Sequence, residues 1–291
     1  MTLARRQILF AAVALAVAAP ARAQDGRGFL DRRRRRVGNE SQSDRARQTV
    51  AYGPDPQQVI DIYDGTAPGP VLAFVHGGGW AHGDRSMVNS LPEYAERHGL
   101  TLVSIGYRLV PQVNARDEAE DVASAVGLIR RMFPDRPLVL MGHSAGAHLV
   151  ALVGVDPVYL AAQGMEPADL AAVIPVDGAG YDATEPREPG PVGRWLERTY
   201  DNAFGDQRAE LSPILRIRGG QAYPPFLIFH IESRQDATRQ SRRLADALVA
   251  AGGRAEVVVA PGDTHRDINF EFGRPGDVEG ERAAAFIRGL D

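Results

Sequence analysis

Pro137-Leu-Val-Leu-Met-Gly-His-Ser-Ala-Gly-Ala-His-Leu-Val-Ala-Leu-Val153 is the stretch whose reading decides the fold. Its first five residues are an apolar, strand-forming run that stops at Gly142. From Ser144 to Val153 the run continues with helix-forming Ala and Leu, so a strand turns abruptly into a helix. The turn is Gly142-His143-Ser144-Ala145-Gly146, a G-x-S-x-G element. Small flanking residues let strand and helix pass closely, and the sharp turn leaves the Ser144 hydroxyl exposed above the helix N-terminus. The positive end of that helix favours negative charge developing beside the serine. Alone, such a pentapeptide arises in roughly one chain in ten at average Gly and Ser usage. Its placement between strand and helix is what makes it chemical.

Upstream, Val71 to His76 reads as a buried strand running into Gly77-Gly78-Gly79-Trp80. Consecutive glycines let backbone N–H groups approach a substrate oxygen without Cβ obstruction. With the Ala145 amide, those of Gly78 and Gly79 form a candidate oxyanion hole, in which each donor contributes roughly 3–4 kcal/mol. A phosphate cradle would call instead for a following Lys or a G-x-G-x-x-G helix start. Further strands are expected at Val59–Tyr63, Leu100–Tyr107, Ala171–Val176, Pro225–Ile231 and Glu256–Ala260. Helices are expected at Asp117–Phe133, Asp236–Ala251 and Val278–Leu290. This alternation is the mark of a mainly parallel sheet covered on both faces, an α/β chain. Asp177 to Tyr223 is long, rich in Pro and Gly and weakly patterned, which suggests a cover over a site.

Composition narrows the chemistry. The 291 residues include no Cys, and all 33 basic residues are Arg. There is therefore no thiol nucleophile, thiolate metal site, Schiff base or Ser-Lys dyad. What remains is Ser or Thr activated by His, a carboxylate pair, or a His/carboxylate metal site. Of the seven histidines, His265 alone sits in a loop just after the last strand, in Pro261-Gly-Asp-Thr-His265. Chain order Ser, acid, His makes it the candidate base. The acid should lie beyond a strand end between Ser144 and His265. Ile231-Glu-Ser-Arg-Gln-Asp236 offers Asp236, whose competing role is to cap the helix that follows, and Glu232 as the alternative.

Together, His76-Gly-Gly-Gly-Trp80, Gly83-Asp-Arg85, Tyr107-Arg-Leu109 and Gly142-His-Ser-Ala-Gly-Ala-His148 resemble the hormone-sensitive-lipase-like branch of the α/β-hydrolase fold esterases. Within it they are most similar to small carboxylesterases, feruloyl-esterase-like and kynurenine-formamidase-like members. The likeness runs from about Tyr52 to the C-terminus. It implies an eight-stranded sheet, a Ser144–Asp236–His265 triad, oxyanion donors from Gly78, Gly79 and Ala145, and His76 bracing the glycine loop. It implies no metal and no organic cofactor. Many relatives carry His-Gly-x-x-Asp after the seventh strand, whereas His230-Ile-Glu-Ser-Arg234 puts Arg at that place. Residues 178–218 are too few for a large cap domain and imply a small lid. The resulting expectation is a serine carboxylesterase for small or medium acyl esters. An arylformamidase or amidase using the same triad is the alternative, and a non-catalytic binding module, which would ordinarily have lost Ser144 and His265, is the third reading.

The first 23 residues read as an export signal. Arg5 and Arg6 precede twelve apolar residues, Ile8–Ala19, and the small-x-small site Ala21-Arg-Ala23. Twelve residues of helix span only ~18 Å, short of a ~30 Å hydrocarbon core, so cleavage is expected rather than stable membrane insertion. The arginine pair permits twin-arginine as well as general export, and the expected location is periplasmic or secreted. Cleavage removes three Arg and no acid, leaving 30 basic against 37 acidic residues, which disfavours a nucleic-acid partner. Residues 24–50, with the run Arg32–Arg36, read as a solvated polar tail before a domain at 51–291.

Overall fold

Five-residue runs such as Val71-Leu-Ala-Phe-Val75 are apolar at every position, which suits a strand covered on both faces. In a computed structural model that describes residues 47–63, 69–187 and 189–290, such runs form one eight-stranded sheet. The proposed signal (1–23) and most of the proposed tail lie outside the described residues.

The strands are β1 (Arg47–Ala51), β2 (Val59–Tyr63), β3 (Val71–Val75), β4 (Thr101–Ile105), β5 (Leu138–His143), β6 (Ala172–Val176), β7 (Phe226–Ile231) and β8 (Ala255–Ala260). The helices are α1 (Leu91–Arg97), α2 (Ala115–Met132), α3 (Ala145–Val155), α4 (Pro157–Ala161), α5 (Pro191–Phe204), α6 (Pro213–Arg216), α7 (Gln235–Ala250), α8 (Asp267–Glu271) and α9 (Val278–Arg288). Strand order is β1-β2-β4-β3-β5-β6-β7-β8. β2 pairs antiparallel with β1 and β4, and β4 through β8 pair in parallel. The expected α/β-hydrolase architecture is thus the observed one.

Two apolar layers cover the sheet. On one face Val122, Val126 and Ile129 of α2 pack with Leu149 and Val153 of α3 and Leu244 and Leu248 of α7. On the other, Leu91 and Tyr94 of α1 pack with Ala283, Ala284 and Ile287 of α9. Burial of this kind is worth about 25 cal/mol per Å² of apolar surface, enough to hold a domain of this size without disulfides or metal.

The short helices α1, α4, α6 and α8 lie outside the expected elements, and so do β1 and α5. Arg47-Gln-Thr-Val-Ala51 is an edge strand, although residues up to 50 read as tail; four of its five residues are exposed, so no apolar alternation marks it. The weakly patterned segment after Asp177 contains α5, whose apolar residues Leu196, Tyr200, Ala203 and Phe204 follow helical spacing. Tyr200 and Phe204 are fully buried against Trp80, with ring centroids 5.5 and 4.9 Å away.

Candidate active site

Parallel pairing brings the carboxyl ends of β3, β5, β6, β7 and β8 to one edge, where open α/β sheets hold their sites. Ser144 follows β5 directly, with φ 57° and ψ −117°, the left-handed backbone of a strained turn. Its N–H donates to the carbonyl of Val176 (3.0 Å), and its carbonyl accepts from His148 (3.2 Å) in the first turn of α3. The close crossing demands glycine. A Cβ on Gly146 would collide with the main-chain oxygens of Val75 and His76.

The Ser144 Oγ lies 3.0 Å from Nε2 of His265, in the loop after β8. Nδ1 of His265 lies 2.5 Å from Oδ2 of Asp177. The carboxylate that meets the imidazole is therefore Asp177, and the expectation of Asp236, with Glu232 as alternative, is corrected. The cause is strand register. His143 of β5 sits opposite Val176 of β6, so the residues just after them, Ser144 and Asp177, emerge side by side. Asp177 is the first residue past β6 and, like Ser144, left-handed (φ 43°). Asp236 lies in the first turn of α7 with its carboxylate 3.5 Å from the Arg234 guanidinium, where an acid complements the helix dipole. The helix N-cap is Arg234, so Asp236 is not the cap either. Glu232 is exposed. Asp177 did carry a sequence signal, an acid immediately beyond a predicted strand and between Ser144 and His265. As the first residue of the long, weakly patterned segment 177–223, however, it reads as the start of a cover.

Asp177 is fully buried and its side chain is shared among donors. Oδ1 accepts from the Ile231 amide (3.3 Å), and Oδ2 from His265 and from Nη1 of Arg234 (2.9 Å). Burial pushes the carboxyl up, but the bond to His265 and the Arg234 charge outweigh it and hold it below the usual carboxylate range. His143, also unassigned by the sequence, supports His265. Its Nε2 lies 3.0 Å from the His265 carbonyl and its ring 4.7 Å from the His265 ring. Burial, reinforced by the His265 charge, pulls His143 down to about 3, so it is a neutral donor to that carbonyl.

Gly78 (φ 133°) and Gly79 (φ 61°) line the cavity beside Ser144, and a Cβ on Gly78 would strike the His82 carbonyl. Ala145 opens α3, where an amide has no carbonyl inside the helix to bond. His76 donates from Nδ1 to the Gly77 carbonyl (2.8 Å) and stacks on Tyr107 at 4.4 Å. The Tyr107 hydroxyl in turn donates to the His76 carbonyl (2.8 Å). Burial lowers His76, which the Gly77 bond only partly opposes. His148 ties three segments together: Nδ1 accepts from the Trp80 indole (3.3 Å) while Nε2 donates to the Leu211 carbonyl (2.7 Å). These contacts hold the glycine loop, the helix of the nucleophile turn and the segment before α6 in one arrangement.

The cavity above Ser144 has a volume of about 860 Å³, within the range of sites for small organic ligands. Its apolar walls include Phe74, Trp80, Met87 and Phe270, and α5 contributes Trp195 and Leu196. Among the described residues no cluster of His, Asp or Glu is arranged to hold a metal ion, and no helix is long and apolar enough to cross a membrane.

Comparison with known proteins agrees with this fold. The chain is 33% identical over 205 residues to an esterase of Mycobacterium tuberculosis, LipC, which covers 63% of this chain and 50% of that one. It is 27% identical over 257 residues to the kynurenine formamidase of Drosophila melanogaster, covering 83% and 80%. The chain spans about half the length of the first curated relatives it matches. The crystal structure of esterase B from Lactobacillus rhamnosis superposes with a TM-score of 0.70 at 22% identity, covering 91% of each chain, a likeness of fold. The sequence model of the alpha/beta hydrolase fold matches residues 72–268, more than half of the chain, and the protein belongs to that family.

Proposed function

We propose that the chain is an exported serine carboxylesterase that hydrolyses small or medium acyl esters through an acyl-enzyme on Ser144. The observation that carries this reading is the continuous line from the Ser144 hydroxyl through His265 to Asp177, opening into the cavity. Ser144 Oγ attacks the ester carbonyl carbon while Nε2 of His265 takes its proton. Asp177 holds the tautomer with Nδ1–H and stabilises the imidazolium that forms. The amides of Gly78, Gly79 and Ala145 receive the oxyanion. His265 then protonates the departing alkoxide, and water, deprotonated by the same imidazole, releases the acid and restores Ser144. Export is supported by the pattern of residues 1–23.

A second reading, hydrolysis of an aryl formamide by the same residues, is favoured by the likeness to the insect kynurenine formamidase. A panel of nitrophenyl esters of increasing chain length, methyl ferulate and an aryl formamide separates the two, with Ser144→Ala alongside. The expected outcome is highest kcat/KM on a short or medium ester and a loss of about 10³-fold or more in Ser144→Ala. Undiminished ester turnover in that variant would falsify the mechanism. Preference for the formamide would select the second reading.

A further inference from the structure

Arg234 occupies the place after β7 where the acid was expected. Its side chain is 21% exposed, and Nη1 donates both to Oδ2 (2.9 Å) and to the main-chain carbonyl (3.1 Å) of Asp177. The same nitrogen stands 3.0 Å from Nδ1 of His265. With Nδ1 protonated, both nitrogens are donors, so this approach is a contact forced by their shared acceptor, Oδ2. Nη2 lies 3.5 Å from Asp236. A left-handed non-glycine residue such as Asp177 persists only where its surroundings over-determine it. Here one guanidinium grips both ends of it.

We propose that Arg234 is a positioning residue of the Ser144–His265–Asp177 line, holding Asp177 in its left-handed conformation with Oδ2 aimed at His265. The inference rests on the serine-hydrolase reading above. Nη1 makes both bonds to Asp177 while Nη2 faces Asp236, a spread of donors that a single lysine ammonium does not reproduce.

The test uses the full chain with nitrophenyl acetate, recording kcat per folded enzyme and KM for wild type, Arg234→Gln, Arg234→Lys, Asp236→Asn and Ser144→Ala. Arg234→Gln is expected to lower kcat at least about tenfold with KM within about threefold. Arg234→Lys, which keeps the charge but not the spread of donors, should recover only part of kcat. Asp236→Asn, which changes only the partner of Nη2, should lower kcat less than Arg234→Gln does. A role confined to folding would leave kcat per folded enzyme at the wild-type value in Arg234→Gln, and that result overturns the proposal, as does full recovery of kcat in Arg234→Lys. Should Arg234→Gln not fold, wild-type kcat in Arg234→Lys overturns it as well. Undiminished turnover in Ser144→Ala would instead remove the hydrolase reading itself, and this inference with it.

Discussion

Asp177 and Asp236 have the same side chain and different surroundings. The buried carboxylate of Asp177 meets the His265 imidazole, whereas that of Asp236 faces a guanidinium at a helix start. Asp177→Asn should therefore lower kcat by about 10³- to 10⁴-fold, because the amide no longer selects the Nδ1–H tautomer or stabilises the imidazolium. KM should change little. Glu232→Gln, at an exposed position, should stay within about threefold of wild type. Steady-state kinetics on one nitrophenyl ester decides this, and an Asp177→Asn enzyme within tenfold of wild type would sink the assignment. Ser144 and His265 were readable in the sequence because each sits in a local context, a strand-to-helix turn and a post-strand loop. Asp177 was not, because two segments satisfied the same local rule. Pairing between β5 and β6 chose between them.

At the scale of elements, α5 joins the cover to the oxyanion loop. Phe204 and Tyr200 pack edge-on against Trp80, while Leu196 and Thr199, on the same helix, line the cavity. Phe204→Ala should cost about 3–5 kcal/mol in stability by leaving a cavity. It should also raise KM more than it lowers kcat, since the Ser144–His265 geometry does not depend on α5. Urea unfolding and kinetics on the same preparation test both parts; a loss of stability with unchanged KM would show that α5 is not part of the substrate wall. This helix was missed in the sequence although its apolar residues stand at helical spacing, because flanking Pro and Gly masked a short amphipathic run. The parallel strands were far easier to read. Burial on both faces leaves them apolar throughout, whereas β1, solvated at the edge, carries almost no such mark.

At the scale of the whole molecule, two buried neutral histidines tie stability to pH. Burial lowers His143 to about 3 and His148 to about 4, from 6.5. Between those values and 6.5 each histidine binds a proton in the unfolded chain but not in the folded one, so its contribution is complete above about 6.5 and falls as pH drops, whereas Glu118 and Glu279, raised by burial, act in the opposite sense. Each histidine contributes a slope of about 1 kcal/mol per pH unit in that window. Asp177, held below its usual range, adds to the loss further into acid. The urea midpoint of wild type minus that of His148→Gln should therefore fall steadily from pH 7 through 6 to 5. A difference that stays equal from pH 7 to 5 would contradict the account.

By itself, the sequence determined the class of fold and singled out Ser144, His265 and the glycine loop, because each is written in residues adjacent along the chain: an apolar run, a turn, a helix start. It also excluded thiol and lysine chemistry outright. The tertiary structure alone decided which carboxylate joins the imidazole, that an arginine grips that carboxylate, and that His143 and His148 brace the site. These are contacts between residues 31 to 122 positions apart. Strand register and helix packing set such contacts, and no local pattern records them.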